Sequence, residues 1–322
     1  MLTTQEVDRK LTRSSIFMTV KIDPDKRSQI LELLGDISSL VRAVGFRVPK
    51  GKLSCIVGIG SDAWDVLFPD YKPAGLHPFI ELHGVYNAPS TPGDILFHIR
   101  AKSYDLCFEL ANSIRLRLSG GAEILDVVSG FRYFDERDLL GFVDGTENPV
   151  GQSAVAATIV GDEDPIFRGG SYVITQKYVH DMQRWHSIPV SQQELIVGRK
   201  KLSDVELWDK EKPTYAHNVL NKIYDEDGNQ IQILRDNMPF ADVKEGVSGT
   251  FFIGYANKPD PIEQMLRNMF VGLPEGNYDR ILDVSTAITG NLFFIPTSSF
   301  LDNAPKYIDG VVKPDDEALM DN

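Results

Sequence analysis

The stretch Ile16-Phe17-Met18-Thr19-Val20-Lys21-Ile22-Asp23-Pro24 decides the fold, because it begins an order of elements that the chain later repeats. Its first seven residues are mostly apolar or β-branched, which is typical of a core strand, and Asp23-Pro24 ends that strand. Across most of 26–44 the apolar residues recur at the spacings of an amphipathic helix. The chain therefore begins as a strand followed by a helix.

The alternation of strands and helices continues as far as residue 133. A strand is predicted at 53–59, where apolar residues alternate, and two more are predicted at 95–100 and 122–133. Between the last two lies a helix that Ser103 can cap and that Gly120-Gly121 ends. The order strand-helix-strand-strand-helix-strand predicts a ferredoxin-like unit, in which both helices cover one face of an antiparallel sheet.

The second half of the chain shows the same order with a long polar insertion at 180–248. Asp260-Pro261 begins its clearest helix. We predict an α+β fold made of two duplicated ferredoxin-like domains, 1–145 and 146–322, with helices on the outer faces as in the dimeric α/β-barrel-like superfamily. The strands predicted in the second domain lie at 171–177, 249–256 and 291–295.

The charge balance and the cysteines limit the partners. The 322 residues include 33 Lys and Arg against 46 Asp and Glu, a net charge of −13, which repels nucleic acids and anionic membranes. Cys55 and Cys107 lie in apolar runs, as expected for thiols in a reducing compartment. Because Met1–Asp8 also lacks the apolar segment of a secretory signal, a cytoplasmic protein is predicted.

A second stretch, Gly141-Phe142-Val143-Asp144-Gly145-Thr146-Glu147-Asn148-Pro149, places two acids on a turn that follows an apolar pair. A carboxylate next to a buried surface is costly unless it has a partner or a chemical task. Turn formation alone explains most Asp-Gly dipeptides, so this loop needs support from other residues.

That support lies in the insertion. Arg235 and Asn237 are two positions apart, so in an extended segment a cation and an amide point the same way. His217 is a single histidine in a polar loop, whereas zinc and copper sites usually combine several. A haem iron needs only one protein ligand of this kind.

Together these segments resemble the dye-decolourising peroxidases. Gly141–Gly145 is similar to the GxxDG motif of that family, and Arg235–Phe240 resembles its distal arginine segment. His217 lies 18 residues before Arg235, where the family's proximal histidine is expected. Val197–Lys200 and Asn291–Thr297 extend the resemblance over nearly the whole chain. The compact length is most similar to the bacterial B-type members.

The resemblance implies a peroxidase that holds haem b, reduces hydrogen peroxide and oxidises small aromatic donors such as dyes and phenols through a ferryl intermediate. It implies that Asp144 is a proton shuttle, that Arg235 stabilises developing negative charge, and that Asn237 holds the peroxide. His217 would be the axial iron ligand.

The remaining cofactor contacts are less specific. Asp283 is the predicted carboxylate partner of His217, and Asp279, one helical turn away, is the alternative. The groups expected near the haem propionates are Arg199, Gly145, Thr146, Glu147 and Gln152. The resemblance also implies oxidation of bulky donors at surface aromatic residues, for which Trp185 and Trp208 are candidates, although ordinary packing is the better explanation of each one.

Two other classes of function stay open on the sequence alone. One is a haem-binding or haem-handling protein with little peroxidase turnover, and the other is a cofactor-free binding or assembly module on the same fold. Self-association into a homo-oligomer is expected. The acidic tail at 309–316 lacks the apolar residues expected of a segment that docks into a protein nanocompartment, so that role is not predicted.

Overall fold

The computed structural model describes residues 3–9 and 12–309. Within these residues strands β1 to β14 are, in chain order, Ser14–Ile22, Ser54–Gly60, Leu82–His83, Asn87–Ala88, Ile95–Ala101, Ala122–Phe131, Ser171–His180, Ile223–Tyr224, Gln230–Ile231, Leu234–Arg235, Met238–Asp242, Val247–Ala256, Ser285–Ala287 and Asn291–Ile295. Ten of them form one antiparallel sheet: eight follow the order β10-β12-β7-β14-β2-β5-β1-β6, β11 also pairs with β12, and β13 pairs with β7.

The helices lie between these strands and after the last of them. Helices α1 to α9 are, in chain order, Arg27–Gly45, Ser61–Leu67, Tyr104–Leu118, Gln152–Thr158, Met182–Ser187, Val190–Val197, His217–Leu220, Asp260–Phe270 and Ser298–Asp302. The short 3-10 helices are Pro24–Lys26, Pro49–Gly51, Phe134–Glu136, Pro165–Phe167, Arg280–Asp283 and Ala304–Asp309.

The two halves of the chain have equivalent strand orders. In the first half β1 lies between β5 and β6, and β2 follows β5; in the second half β7 lies between β12 and β14, and β11 pairs with the far side of β12. The halves join where β14 pairs with β2, at Phe293↔Gly60 and Phe294↔Ile59. The predicted α+β class with a ferredoxin-like duplication is confirmed, while the boundary at 145/146 stays a prediction.

The two faces of the sheet bury different side chains. Ile16 and Met18 belong to the core that includes helices α1 and α3, whereas Phe17, between them, belongs to a second core on the opposite face. There Phe17 stacks on Phe251 of β12, with ring centroids 4.1 Å apart. Because β1 and β12 are distant in the strand order, the sheet must curl strongly, although its described strands follow an open path and not a closed barrel.

The predicted insertion is too long at its C-terminal end. Its last part contains Met238–Asp242, which pairs with β12 and is the second sheet strand of the repeat. The error arises because Pro239 and the neighbouring Asp236-Asn237 are turn-forming residue types, so the sequence at this point does not resemble a strand. The insertion therefore lies between β7 and β11, and it holds α5, α6 and α7.

Both cysteines lie within the described residues. Cys55 and Cys107 are free thiols, and burial raises the pKa of Cys107 to about 12. No helix in the described part of the chain has the length and apolar character needed to cross a membrane.

Candidate functional site

A large cavity lies between strands β7, β10 and β12, helices α7 and α8, and the loop that contains Asp144. It has about 1410 Å³ of atom-free space, including its open mouth. One wall is apolar, as a flat organic cofactor requires. That wall includes Ile231, Ile233, Phe252, Ile262, Met265 and Met269.

Arg235 and Asn237 enter this cavity from an interrupted strand. Strand pairing with β12 stops at Arg235↔Gly254 and resumes at Met238↔Phe251. In the interruption the Ile253 N–H donates to Oδ1 of Asn237 at 3.1 Å, which fixes the orientation of the amide and leaves its NH2 group to face other partners.

Asp144 lies on the loop next to these two side chains. Its Oδ2 accepts a hydrogen bond from Nδ2 of Asn237 at 3.1 Å, and its backbone N–H donates to the Glu136 carbonyl at 2.9 Å. Gly145 has φ of 78°, a left-handed conformation that glycine adopts without steric cost. The predicted turn therefore forms, and it holds Asp144 beside Asn237.

Asn148 fastens this loop to the strand of Arg235. Its Nδ2 donates to the Arg235 carbonyl at 2.7 Å, while its Oδ1 accepts from the Arg235 N–H at 2.9 Å. One side chain thereby satisfies both backbone groups of Arg235. Its pairing with a residue 87 positions away has no local signal in the sequence.

His217 approaches the cavity at the start of α7. Its Nδ1 contacts Oδ2 of the buried Asp279 at 2.6 Å, and no hydrogen-bond partner for Nε2 is present among the described residues. Burial is the largest influence and lowers the pKa of His217, but the charge and hydrogen bond of Asp279 outweigh it and raise that pKa overall. A proton held on Nδ1 by Asp279 leaves the Nε2 lone pair free for a metal.

A second histidine, His180, lines the same cavity but has no free ring nitrogen. Its Nδ1 lies 2.8 Å from Oγ of Ser285, and its Nε2 lies 3.0 Å from Oγ1 of Thr250. Burial lowers the pKa of His180 to about 4, so the ring is neutral and structural at ordinary pH. Of the two histidines, only His217 presents a nitrogen to the cavity.

Two of the residues expected at the cofactor lie elsewhere. Asp283, predicted as the partner of His217, instead accepts hydrogen bonds from the hydroxyls of Tyr86 and Tyr278 at 3.0 and 2.9 Å, so this prediction is wrong and Asp279 has the contact. Gln152 is exposed at the start of α4 and does not line the cavity.

The polar side of the cavity combines cations and acids. Arg199 donates from Nε to Asp204 at 2.9 Å and lies 3.5 Å from Glu147, while Lys222 contacts Glu206 at 2.8 Å and Glu147 at 3.6 Å. Gly145 and Thr146 lie on the same wall. Fixed cations and backbone groups of this kind suit a bound carboxylate.

A smaller cavity of about 390 Å³ reaches Asp144, Arg235 and Asn237 from another direction. Its outer part includes Arg132 and Glu136, which form an ion pair at 2.6 Å. The three polar side chains are therefore accessible from two cavities.

The arrangement fits haem. It offers a histidine with an unpartnered Nε2, an apolar wall that suits a flat macrocycle, and cations where carboxylates would lie. In addition, Nε of Arg235 is buried without a hydrogen-bond partner among the described residues, so a charged donor group remains for a ligand. These features define a haem protein whose cavity also holds an acid, an amide and an arginine, as a peroxidase requires.

Comparison with known proteins identifies the family. The N-terminal part of the Dyp-type peroxidases matches residues 5–132, and the C-terminal part matches 135–300. The chain belongs to the dye-decolorizing (Dyp-type) peroxidase family, and it is an enzyme, a haem peroxidase.

Individual relatives agree with this. A dye-decolorizing peroxidase of Rhodococcus erythropolis is 58% identical, with 92% of this chain and 87% of that protein covered. A variant of DypB from Rhodococcus jostii RHA1, solved in complex with heme, has a TM-score of 0.91 and 50% identity over 92% of this chain and 97% of that one. The encapsulated DyP-type peroxidase of Mycobacterium smegmatis has a TM-score of 0.92 and 54% identity, covering 94% and 98%.

The family decides between the alternatives that the sequence left open. The haem cofactor is confirmed, which excludes a cofactor-free module, and peroxidase membership excludes a protein that only handles haem. Of the two candidate surface tryptophans, Trp185 is wholly buried and donates to the Leu140 carbonyl, whereas Trp208 is 80% exposed.

Asp138 is a cavity residue that the sequence interpretation missed. Its Oδ1 accepts from the Phe142 N–H at 3.0 Å, which closes the turn before Asp144. Burial, and secondarily the charge of Asp144, raise the pKa of Asp138 to about 7. Its neighbours, Arg137 and Leu139, belong to no recognisable motif, so the sequence carries no specific signal for this residue.

The raised pKa of Asp138 predicts a stability effect in the haem-free protein. An acid whose folded-state pKa is raised contributes stability below its unfolded value, about pH 4, and that contribution is lost as the pH rises to about 7. The variant Asp138→Asn should therefore gain stability relative to wild type across this window and no further above it. Thermal melts at several pH values measure this. A difference that does not change with pH would contradict the prediction.

Proposed function

We propose that Asp144, Arg235 and Asn237 process hydrogen peroxide in this cavity and that His217 is the axial ligand of the haem iron. The observation that carries the proposal is their placement around one cavity, together with the His217 Nδ1 contact to Asp279 at 2.6 Å, which leaves Nε2 free. Asp279 replaces Asp283 in this proposal.

The chemistry that haem supplies when bound is the two-electron reduction of peroxide, followed by two one-electron oxidations of donors. Asp144 accepts a proton from one peroxide oxygen and returns it to the other, which leaves as water. Arg235 stabilises the negative charge that develops on the departing oxygen. Asn237, fixed by the Ile253 N–H, holds Asp144 and contributes a donor to the peroxide.

The proximal and propionate contacts complete the proposal. Asp279 orients His217 and makes its free nitrogen a stronger donor to the metal. Arg199 and Lys222, with the backbone of Gly145 and Thr146, receive the propionates, while Glu147, which lines the same cavity, contacts both cations. Arg199 is kept in place by Asp204 and needs no rearrangement to do this.

Small aromatic donors, including dyes and phenols, are the proposed reducing substrates. Exposed Trp208 offers such donors an oxidisable side chain at the surface. A cytoplasmic location and a homo-oligomeric state stay predictions from the sequence. The part of the acidic tail from residue 310 onward lies outside the described residues, so its predicted lack of a docking role is untested.

The absorption spectrum of the purified protein before and after one equivalent of peroxide tests the proposal. A Soret band that shifts at once on addition and returns when a phenol is added is the expected result. A stable Soret band that does not respond to peroxide would contradict the roles given to Asp144 and Arg235.

Donor oxidation should have an acidic optimum. The proposed proton shuttle is a carboxylate, and the reduction of peroxide to two waters takes up two protons. Steady-state oxidation of an organic dye should therefore be fastest at the acidic end of a series from about pH 4 to about pH 8. A flat profile over that range would count against an aspartate shuttle.

A further inference from the structure

We propose that Asp236 and Arg100 are positioning residues for the peroxide reaction, and that they hold Arg235 and Asn237 in place from the opposite face of the sheet. This inference rests on the proposed function, in which Arg235 and Asn237 act on peroxide. It assigns a task to a buried ion pair that does not reach the cavity.

Asp236 lies between the two cavity residues along the chain and belongs to the other face of the sheet. The side chains of Asp236 and Arg100 are both 0% exposed, and Nη1 of Arg100 lies 2.6 Å from Oδ2 of Asp236. Arg100 is on β5, in the first half of the chain, and its Nη2 donates to the Glu6 carbonyl at 2.5 Å. A single carboxylate therefore ties the segment of the second half that carries Arg235 to the first half.

The segment 235–238 needs this ion pair because its backbone hydrogen bonds to β12 are incomplete. Between Arg235↔Gly254 and Met238↔Phe251 the Asp236 N–H still donates to the Ile253 carbonyl at 3.1 Å. The Ile253 N–H, however, is bound by the Asn237 side chain. One hydrogen bond between this segment and β12 is therefore made by a side chain and not by the backbone. The Asp236 carboxylate holds the segment at this point from the opposite face of the sheet.

The contribution of the Asp236–Arg100 ion pair to the free energy of folding does not explain why the pair is present. Buried ion pairs contribute little net stability, because desolvation offsets their attraction. Here Oδ1 of Asp236, Nε of Arg100 and Nε2 of the neighbouring His98 have no hydrogen-bond partner among the described residues, which adds to the cost. Packed apolar side chains would stabilise the fold better than this ion pair. They would not, however, fix the position of the segment that carries Arg235 and Asn237.

The first test uses Asp236→Asn in the haem-loaded enzyme. The second-order rate constant with hydrogen peroxide should fall by roughly 10- to 100-fold, as expected when reacting groups are misplaced by about 1 Å, while the Soret band and haem affinity are retained. In the haem-free protein, amide hydrogen exchange should accelerate in the peptide covering 233–240 more than in strand β6. Arg100→Lys, which keeps the charge but loses the planar fork, should give a smaller loss and replaces Asp236→Asn if that variant does not fold.

A double-mutant cycle separates positioning from general destabilisation. Because Asp236 acts only through its neighbours, Asp236→Asn should cost less in an Arg235→Leu background than in wild type. Asp126→Asn is the matched control. It breaks the ion pair from Asp126 to Lys177 at 2.9 Å, which also joins the two halves, so it should lower the melting temperature without changing the peroxide rate.

The outcomes distinguish this inference from the proposed function. Additive effects in the cycle, or Asp236→Asn with an unchanged peroxide rate per bound haem while Arg235→Leu is strongly impaired, would overturn only the positioning role. An unchanged rate in Arg235→Leu alone would overturn the proposed function and this inference with it.

Discussion

Replacement of His217 by alanine is expected to abolish or strongly weaken the Soret band of the purified protein. The reason is that His217 is the histidine of this cavity with a free ring nitrogen among the described residues, since both nitrogens of His180 are hydrogen-bonded. The loss of haem affinity should exceed the roughly 10- to 100-fold that is typical when only the hydrogen-bond partner of a metal ligand is removed. Haem titration of the haem-free variant measures it.

The matched control is His83→Ala, which removes a histidine whose side chain is 72% exposed. This control should bind haem as wild type does. Bound haem also stabilises the folded state by mass action, so haem should raise the melting temperature of the control and have little effect on His217→Ala. Normal haem binding by His217→Ala, with an unchanged spectrum, would show that another group is the ligand.

Replacement of Arg235 by leucine should reduce the second-order rate constant for hydrogen peroxide by roughly 10²- to 10³-fold, the usual effect of removing one preorganised donor from a developing anion. Haem should still bind, because Arg235 is not the proposed ligand. Asp144→Asn should also slow this step, by roughly 10²- to 10⁴-fold, because it removes the proton acceptor but keeps an oxygen for Asn237. Stopped-flow spectroscopy at the Soret band measures both rates.

The two variants should differ in their response to pH. Arg235→Leu should lose activity by a similar factor at every pH, whereas Asp144→Asn should lose the pH dependence that proton transfer by a carboxylate introduces. Arg117→Leu, which removes an arginine with a side chain 50% exposed on α3, controls for the change in net charge. If Arg235→Leu reacts with peroxide as quickly as this control, Arg235 has no part in the reaction.

Much of this protein was predictable because its signals are local. The strand at 16–22 and the helix after it follow from spacings within a few residues, and both are present as β1 and α1. Asp144, His217, Arg235 and Asn237 line one cavity, as expected from their motifs. Their chemical roles stay proposals.

The errors concern contacts that local patterns do not contain. Asp279 and Asp283 flank one 3-10 turn, and only the tertiary structure decides which carboxylate meets His217, 62 positions earlier. Similarly, Arg100 and Asp236 are 136 positions apart, so nothing in either neighbourhood indicates their ion pair. Gln152 shows the converse error, since proximity in sequence to Asp144 did not bring it to the cavity.

The junction at Phe293↔Gly60 and Phe294↔Ile59 has a consequence for folding. Because β14 and β2 hydrogen-bond directly, neither half can be separated without exposing a strand edge that is buried in the intact chain. The two ferredoxin-like halves are therefore repeats by architecture, but each depends on the other to cover a strand edge. Haem bound to elements of this one sheet should therefore stabilise both halves together, because it binds the folded form and not the unfolded chain.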